Sequence, residues 1–293
     1  MRFRAFLALL LAVVLPAGAN ELYHARSLYR DILVYEEDGL RCMKFGFYDG
    51  GRQSCIRPHD RDYLVFNYTK MMLGALYFNP TPKRILIIGL GGGTLPMALQ
   101  ALVPDAKIDC VEIDPTVVEV AKRFFYFVPA AGTRIVTEDG RVFVKHALQD
   151  GARYDLVMLD AFDREYIPEH MLTKEFLTEV TGLLTEDGVL AANTFSSSRL
   201  YDYETATYSK VFGAYYNLQL NNRVILLQRG RLPEYDQLFD NASPLADRFD
   251  RLGIDRDWLL RLFKIENGKV DESKVLTDQY SPSNLLNGPL DRR

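Results

Sequence analysis

The sequence has little of what marks several large classes of protein. Its 35 lysines and arginines do not cluster, and against 39 acidic residues they leave a net charge of −4, which argues against nucleic acid as a partner. It shows no internal repeat and no low-complexity stretch. Beyond the first 19 residues, no segment is apolar over a length that could cross a bilayer. The four histidines are scattered without metal-site spacing, so we expect no metal: His24, His59, His146 and His170.

Residues 1–19 have the pattern of a secretory signal peptide. Two early arginines form the charged start, ten apolar residues follow, and Ala17-Gly18-Ala19 fits the rule for a cleavage site between small residues. A retained anchor is the alternative, but the apolar core is short for a membrane span. We therefore expect a mature chain that begins at Asn20, has no stable membrane span and is exported, in a bacterium to the periplasm.

Two of the three cysteines flank a predicted hairpin turn. Cys42 and Cys55 lie on either side of residues 48–51, Tyr-Asp-Gly-Gly, which is a good turn sequence. Cross-strand neighbours there can come within disulfide distance, so we expect a Cys42–Cys55 bridge in the oxidised protein. Cys110 lies inside an apolar run and is expected to be a small core residue.

An apolar, β-branched run that ends in glycines begins the main part of the chain. Residues 85–93 read Ile-Leu-Ile-Ile-Gly-Leu-Gly-Gly-Gly. This is typical of a buried parallel strand that turns into a loop binding a phosphate or a nucleoside. From Gly93 to about Leu102 the apolar residues recur at helical spacing, which continues the unit as βαβ.

Acidic residues follow the next apolar runs at the points where strands should end. They are Glu112 with Asp114, Glu138 with Asp139, and Asp160. The carboxyl ends of parallel strands form the edge at which open α/β sheets bind ligands. Strand and helix patterns alternate from residue 84 to residue 228, which predicts a parallel sheet with helices on both faces.

These acids favour a positively charged nucleoside over a dinucleotide. Glu112 lies 23 positions after Gly89, which suits an acid that holds ribose hydroxyls in either kind of site. Pro96 replaces the third glycine of a dinucleotide loop, and carboxylates such as Asp139 and Asp160 repel pyrophosphate. S-adenosylmethionine, a sulfonium without phosphates, fits. The alternative is that Glu112 and Asp139 only cap helix N-termini.

With these motifs the chain resembles the spermidine synthase family, the polyamine aminopropyltransferases, from about Leu28 to about Gln228. Besides the segments above, the resemblance is carried by Tyr154–Asp163, Ile167-Pro168, Leu172–Phe176, Leu184–Leu190, Gln53-Ser54 and Tyr68. It implies a Rossmann-like sheet of the S-adenosylmethionine-dependent transferases with a small N-terminal β domain. It also implies decarboxylated S-adenosylmethionine, or S-adenosylmethionine, as co-substrate, a small amine such as putrescine as acceptor, and a homo-oligomer.

The resemblance also implies roles for individual residues. Asp160 would be the base that deprotonates the attacking amine. Asp163, Tyr68 and Gln53 would bind that amine. The donor nucleoside would be bound by Gly89, Gly91, Gly93, Glu112, Asp139 and Gly140, with Glu112 on the ribose and Asp139 on the adenine amino group. The attack requires a neutral amine, but the amine is mostly ammonium at neutral pH, so a proton must be removed, and a carboxylate can accept it. An alternative for Asp163 is a solvated loop residue paired with Arg164.

Three residues depart from the family pattern. Gly92 stands where the family loop has an aspartate that binds the amine end of the aminopropyl group and rejects the carboxylate of intact S-adenosylmethionine. Lys70 brings a cation where a diamine site favours an anion, and Arg164 replaces a proline. These departures resemble a divergent bacterial subgroup of spermidine synthase-like proteins.

The sequence thus predicts four segments: a signal peptide at 1–19, a β domain with a linking helix at 20–80, a Rossmann-like domain at 81–230 and a helical extension at 231–293. Within them, apolar and polar residues alternate over residues 28–57 as in a β-meander, and residues 62–78 and 245–265 have helical spacing. Residues 215–228 indicate a hairpin that closes the sheet edge. Asp160 and Asp163 favour an aminopropyltransferase. Gly92 favours the alternative, transfer of a methyl or aminocarboxypropyl group from intact S-adenosylmethionine. Export and Lys70 favour a non-catalytic polyamine- or nucleoside-binding protein.

Overall fold

The fold is described from a computed structural model of residues 19–46, 51–161, 168–194 and 196–286. It contains two sheets joined by a short helix. The predicted signal peptide, apart from its last residue, and most of the predicted turn at residues 48–51 lie outside the described residues. No helix of the described ranges is long and apolar enough to cross a membrane.

The first sheet is antiparallel, as the predicted β domain requires. Its strands, in spatial order, are β1 (Asn20–Arg26), β2 (Asp31–Glu37), β3 (Leu40–Phe45) and β4 (Arg52–Ile56). Alternate residues of β2 and β3 form the buried face, on which Phe125 also packs. The sequence pattern placed the start of this sheet near residue 28 and missed β1, because its residues are largely exposed and show no apolar alternation.

A short helix, α1 (Asn67–Leu73), and a 3-10 helix at Gly74–Tyr77 connect the two sheets. Helical spacing from residue 62 predicted a longer helix. The observed helix begins five residues later, and its last five residues are buried, so α1 is held by packing on more than one side.

The second sheet has eight strands, and its parallel half was predicted. The strands are β5 (Arg84–Ile88), β6 (Lys107–Glu112), β7 (Thr133–Thr137), β8 (Tyr154–Leu159), β9 (Leu184–Thr194), β10 (Tyr215–Gln219), β11 (Arg223–Gln228) and β12 (Lys264–Glu266). Their spatial order is β12-β10-β11-β9-β8-β5-β6-β7. The last five strands of this order are parallel to one another, and each of the first three pairs antiparallel with its neighbours. The strand order reverses direction at β5 and β8, where such sheets bind ligands.

Helices cover both faces of this sheet. They are α2 (Thr94–Leu102), α3 (Pro115–Phe124), α4 (Gly140–Gln149), α5 (Lys174–Leu183) and α6 (Leu200–Phe212). The buried residues of α1 and α2 share one apolar core with β5, and those of α4 and α5 share a second core on the opposite face. The expected α/β fold with an N-terminal β domain is therefore confirmed.

The C-terminal part differs from its predicted pattern in two places. It contains α7 (Tyr235–Ala242), α8 (Ala246–Arg251), α9 (Arg256–Arg261) and α10 (Ser283–Leu286), with 3-10 helices at Ser243–Leu245 and Glu272–Lys274. A further 3-10 helix, Glu169–Met171, lies between β8 and α5. The single amphipathic helix expected at 245–265 is interrupted because Gly253 adopts a φ of +73°. The β10–β11 hairpin forms but is not the sheet edge, since β12 pairs with β10.

Candidate active site

The glycine-rich loop follows β5 and lies against the end of β8. The backbone amide of Gly89 donates to Val111 and that of Asp160 donates to Ile88, each at 2.8 Å, which joins β5 to both neighbours. Gly89 has a φ of +99°, and a Cβ there would overlap the Asp160 carbonyl group. Only glycine allows this close approach, so the loop and Asp160 meet directly.

The same loop is braced by the first sheet. The Gly92 amide donates to Ser54 Oγ at 2.8 Å. A Cβ at Gly92 would lie 2.8 Å from Cδ1 of Phe125 and 3.0 Å from Cβ of Ser54. An aspartate at this position would therefore require its neighbours to shift. The space beside Gly92 is filled by Phe125 and Ser54.

Glu112 ends β6 beside this loop. Its Oε2 accepts from the Leu90 amide and its Oε1 accepts from the Asp114 amide, each at 3.0 Å. Burial raises the pKa of Glu112, and the two backbone hydrogen bonds and the charge of Arg30 oppose that rise. The carboxylate is thus fixed at the loop, where its remaining lone pairs can accept from a ligand hydroxyl.

Asp139 is the N-cap of α4. Its Oδ1 accepts from the amides of Arg141 and Val142 at 2.9 and 3.0 Å, as the capping alternative predicts. Its Oδ2 lies 3.1 Å from Nε2 of His170. One oxygen therefore serves the helix, and the other faces outward and contacts His170.

Among the carboxylates at this edge of the sheet, that of Asp160 has the pKa that departs furthest from its ordinary value. Its Oδ1 accepts from Nδ2 of Asn193 at 2.9 Å, and the Tyr68 hydroxyl is a second donor to it. Burial raises the pKa of Asp160 to about 7, against the lowering effect of these two hydrogen bonds, and the charge of Glu112 adds to the rise. The pKa of Tyr68 is raised by burial and by the Asp160 charge, so this hydroxyl stays protonated as a donor.

Asn193 was missed by the sequence interpretation. It lies near the end of β9, the strand beside β8, and its own Oδ1 accepts from Nδ2 of Asn222 at 3.3 Å. A polar residue that closes the apolar run Val189–Ala192 was the available signal. To recognise Asn193 as a site residue from this signal, one would have had to know that β9 lies next to β8.

Four other predicted site residues lie in the described part of the chain. Gln53 is next to Ser54 in β4, and its Nε2 donates to the Gly51 carbonyl at 3.3 Å. Gly91 and Gly93 have φ values of +52° and +77°, and Gly140 packs closely on Ile88. Asp163 and Arg164 lie outside the described residues.

Lys70 does not face Asp160. The side chain is buried, and its Nζ lies 3.4 Å from the Tyr63 hydroxyl and 4.4 Å from the centroid of that ring. The charges that act on Asp160 include Glu112 and not Lys70. The cation is therefore accommodated against Tyr63.

A C-terminal segment is attached to α4 beside Asp139. Arg141 pairs with both Glu179 and Asp278, at 2.9 and 2.7 Å, and donates to the His170 carbonyl at 3.0 Å. These contacts link α4 to α5 and to the turn that carries His170. Tyr280 in this segment is 56% exposed, in line with a surface residue. Among the described residues, no group of three or more acidic, histidine or cysteine side chains could hold a metal.

The sequence is similar to a known family and to a known enzyme over much of its length. The spermine/spermidine synthase domain profile matches residues 65–226, more than half of the chain. A polyamine aminopropyltransferase of Vibrio vulnificus (strain CMCP6) is 44% identical over 288 residues, covering 95% of this chain and 96% of that protein.

Two solved structures share the fold. Spermidine synthase from Thermotoga maritima aligns with a TM-score of 0.65 at 20% identity, over 85% of each chain. Human methyltransferase-like protein 13 in complex with SAH aligns with a TM-score of 0.56 at 25% identity, over 73% of this chain and all of that one. The family profile and the long match at 44% identity confirm the resemblance seen in the motifs. The chain belongs to the spermine/spermidine synthase family.

Proposed function

We propose that this protein is an aminopropyltransferase that uses decarboxylated S-adenosylmethionine as donor and a small amine such as putrescine as acceptor. The observation that carries this proposal is Asp160, a carboxylate with a pKa near 7 beside the glycine loop, supported by Asn193 and Tyr68. A base with this pKa is half-ionised near neutral pH and can both accept a proton and attract a cation.

In this reaction the amine nitrogen attacks the carbon next to the sulfonium sulfur. The new C–N bond forms as the C–S bond breaks, its electron pair goes to sulfur, and methylthioadenosine leaves. The amine is mostly ammonium at neutral pH, so one proton must be removed before or during attack. Asp160 accepts that proton. Tyr68, Gln53 and Asp163 bind and orient the amine.

On the donor side, Glu112 binds the ribose hydroxyls and Asp139 binds the adenine amino group. Both carboxylates are held by backbone amides, so their orientation is fixed before the ligand arrives. Asp139 Oδ2 can accept from the adenine while it contacts His170, because a carboxylate oxygen has more than one acceptor direction. Gly89, Gly91, Gly93 and Gly140 let the backbone approach the nucleoside.

Gly92 favours a second candidate, transfer from intact S-adenosylmethionine. Without an aspartate at this position, nothing there repels the carboxylate of the intact donor. The methyl or the aminocarboxypropyl group would then be transferred. The similarity to a methyltransferase solved with SAH is compatible with that donor class.

The nucleoside product separates these candidates. The purified protein is incubated with either donor and a panel of amines, and products are identified by mass spectrometry. We expect methylthioadenosine from the decarboxylated donor. Methylthioadenosine from the intact donor would instead mean aminocarboxypropyl transfer, and S-adenosylhomocysteine would mean methyl transfer. Nucleoside or polyamine binding without any product would favour the non-catalytic alternative.

We also propose that the protein is exported and forms a homo-oligomer. Export rests on the signal pattern of residues 1–19 and is compatible with the Cys42–Cys55 disulfide. Fractionation of expressing bacteria with N-terminal sequencing tests it, and a mature protein starting at Asn20 in the periplasm is the expected result. Light scattering of the purified protein tests the oligomer, and a monomeric mass would contradict it.

A further inference from the structure

The Cys42–Cys55 disulfide lies close to both halves of the proposed active site. It joins β3 to β4, its two cysteines pair directly across the strands, and both are at most 2% exposed. We propose that this disulfide is a positioning element of the active site, acting on the donor loop through Ser54 and on Asp160 through Phe66 and Tyr68. The inference rests on the proposed function for the roles of the residues it positions.

The first route runs along β4. In the part of the chain that the structure describes, this strand lies at the edge of its sheet and pairs with β3 alone. The pairing is irregular next to the bridge: Met43 pairs with Ser54 and Lys44 pairs with Arg52, so Gln53 is the extra residue of a bulge. A one-residue slip of an edge strand moves its side chains to the opposite face. The covalent bond at Cys55 therefore fixes the register that aims Ser54 at Gly92.

The contact that depends on this register is tight. Ser54 Oγ accepts from the Gly92 amide at 2.8 Å, and a Cβ at Gly91 would lie 2.7 Å from the same oxygen. The glycine loop is therefore in close contact with a single buried side chain of β4. A displaced Ser54 would leave a buried amide without its acceptor and would loosen the loop that binds the donor.

The second route runs through the apolar contacts of the bridge. Cys42 and Cys55 form a cluster with Tyr35, against which Val65 and Phe66 pack. Phe66 is the N-cap residue of α1 but provides no side-chain cap, so packing positions the start of this helix. Its ring stacks on Tyr68 with centroids 5.8 Å apart. Tyr68 in turn donates to Asp160.

The experiment compares the oxidised protein with the C42A/C55A variant, and with wild type reduced under conditions in which a thiol assay shows the bridge open. Steady-state rates are measured with the donor and the amine varied in turn, and methylthioadenosine affinity is measured by calorimetry. Circular dichroism checks that each protein is folded. All measurements are made well below the unfolding temperature. C110A is the control, because Cys110 is buried in β6 and the bridge is intact in that variant.

We expect opening of the bridge to lower kcat/KM for the amine at least tenfold and to weaken methylthioadenosine binding three- to tenfold, with an unchanged circular dichroism spectrum. The acidic limb of the pH–rate profile should move upward, because Tyr68 no longer stabilises the ionised form of Asp160. A purely structural bridge would lower the unfolding temperature without moving that limb. Folded, bridge-open protein with wild-type rates, affinity and pH profile would overturn the proposal.

Two single variants test the routes if C42A/C55A does not fold. F66L should reproduce the amine-side loss and the pH shift, and S54A should reproduce the loss of nucleoside affinity. Wild-type behaviour of both would contradict the proposal. If oxidised wild type transfers no group from either donor, the proposed function fails. The inference is then decided by methylthioadenosine affinity, which should still weaken when the bridge opens and would refute the proposal if it did not.

Discussion

The donor half and the amine half of the proposed site are built differently. In the donor half, Glu112 accepts hydrogen bonds from the backbone amides of Leu90 and Asp114, and Asp139 accepts from amides in the first turn of its own helix. In the amine half, Asp160 is held by the side chains of Asn193 and Tyr68, which come from distant parts of the chain. Three of the four amides in the donor half lie within three residues of the carboxylate they donate to, whereas the support of Asp160 exists only after the sheet and α1 have assembled.

This difference has an electrostatic consequence. Backbone amides are fixed dipoles that stabilise the ionised form of a carboxylate. They oppose the effect of burial on the pKa of Glu112, although burial still raises that pKa. Burial acts in the same direction on Asp160, where the rise is large enough to bring the pKa to about 7. The donor half is therefore expected to set affinity, and the amine half to set proton transfer and rate.

The largest effect should come from removing the base. D160N is expected to lower turnover by about 10²- to 10⁴-fold, the usual contribution of a general base, and to leave methylthioadenosine affinity within a few-fold of wild type. Rates and calorimetry check both. D155N is a matched control on the same strand, where Asp155 accepts from the amides of Lys83 and Arg84 at the far end of β8. Equal loss of turnover and of nucleoside binding in D160N would mean that Asp160 has a structural role.

A donor-side substitution should give the opposite pattern. E112Q loses a charge-assisted hydrogen bond to the ribose and replaces one acceptor of a backbone amide, a loss of about 1.5–3 kcal/mol. This corresponds to about a 10- to 100-fold rise in the KM for the donor. We expect kcat and the KM for the amine to change little, and steady-state kinetics with each substrate varied measures this. A fall in kcat with an unchanged donor KM would break the division between the two halves.

The same division explains what could be predicted from the sequence. The glycine loop and the acids at the ends of β6 and β8 follow from short patterns, because strand, turn and cap are local features. The capping alternative for Asp139 was also local, and one oxygen indeed caps α4. The Cys42–Cys55 bridge was predicted from its turn, although that turn lies outside the described residues.

What the sequence did not indicate depends on contacts between distant segments. Asn193 belongs to the site only because β9 lies beside β8, an order that no local pattern specifies. Lys70 suggested a cation in the amine site, yet α1 turns it toward Tyr63. Ser54 matched the family, but its contact with Gly92 depends on a bulge at Gln53 that periodicity does not reveal. The role of Asp163 in binding the amine stays a prediction.

A smaller effect is expected from the partners of Asp160. Asn193 lowers the pKa of Asp160 by donating to it, so N193A should raise that pKa further. The acidic limb of the pH–rate profile then moves upward. A rise of one pKa unit would lower the ionised fraction at pH 7 from about one half to about one tenth, so we expect a loss of about fivefold at pH 7 and a much smaller loss at pH 9. N222A is the graded control, since Asn222 contacts Asn193 at 3.3 Å rather than Asp160. A loss that is the same at both pH values would show that Asn193 does not act through the proton affinity of Asp160.

The smallest effect concerns stability. The pKa of Asp160 is about 7 in the folded protein against about 3.9 in an unfolded chain, so the folded state binds the extra proton between these values. Its free energy of unfolding should therefore fall as pH rises from 4 to 7, and above pH 7 the ionised carboxylate destabilises the fold.

D160N removes this cost and should be more stable than wild type at pH 8. We expect a difference on the order of 1–3 kcal/mol, less than the full pKa shift would give, because Asp160 is partly exposed to solvent. The advantage should be lost near pH 4, where the wild-type carboxyl is neutral as well. Denaturant unfolding of both proteins at the two pH values measures it, with D155N as control. If D160N were no more stable than wild type at pH 8, the protein would hold an ionised Asp160 at no cost, and the contrast between the halves would not extend to stability.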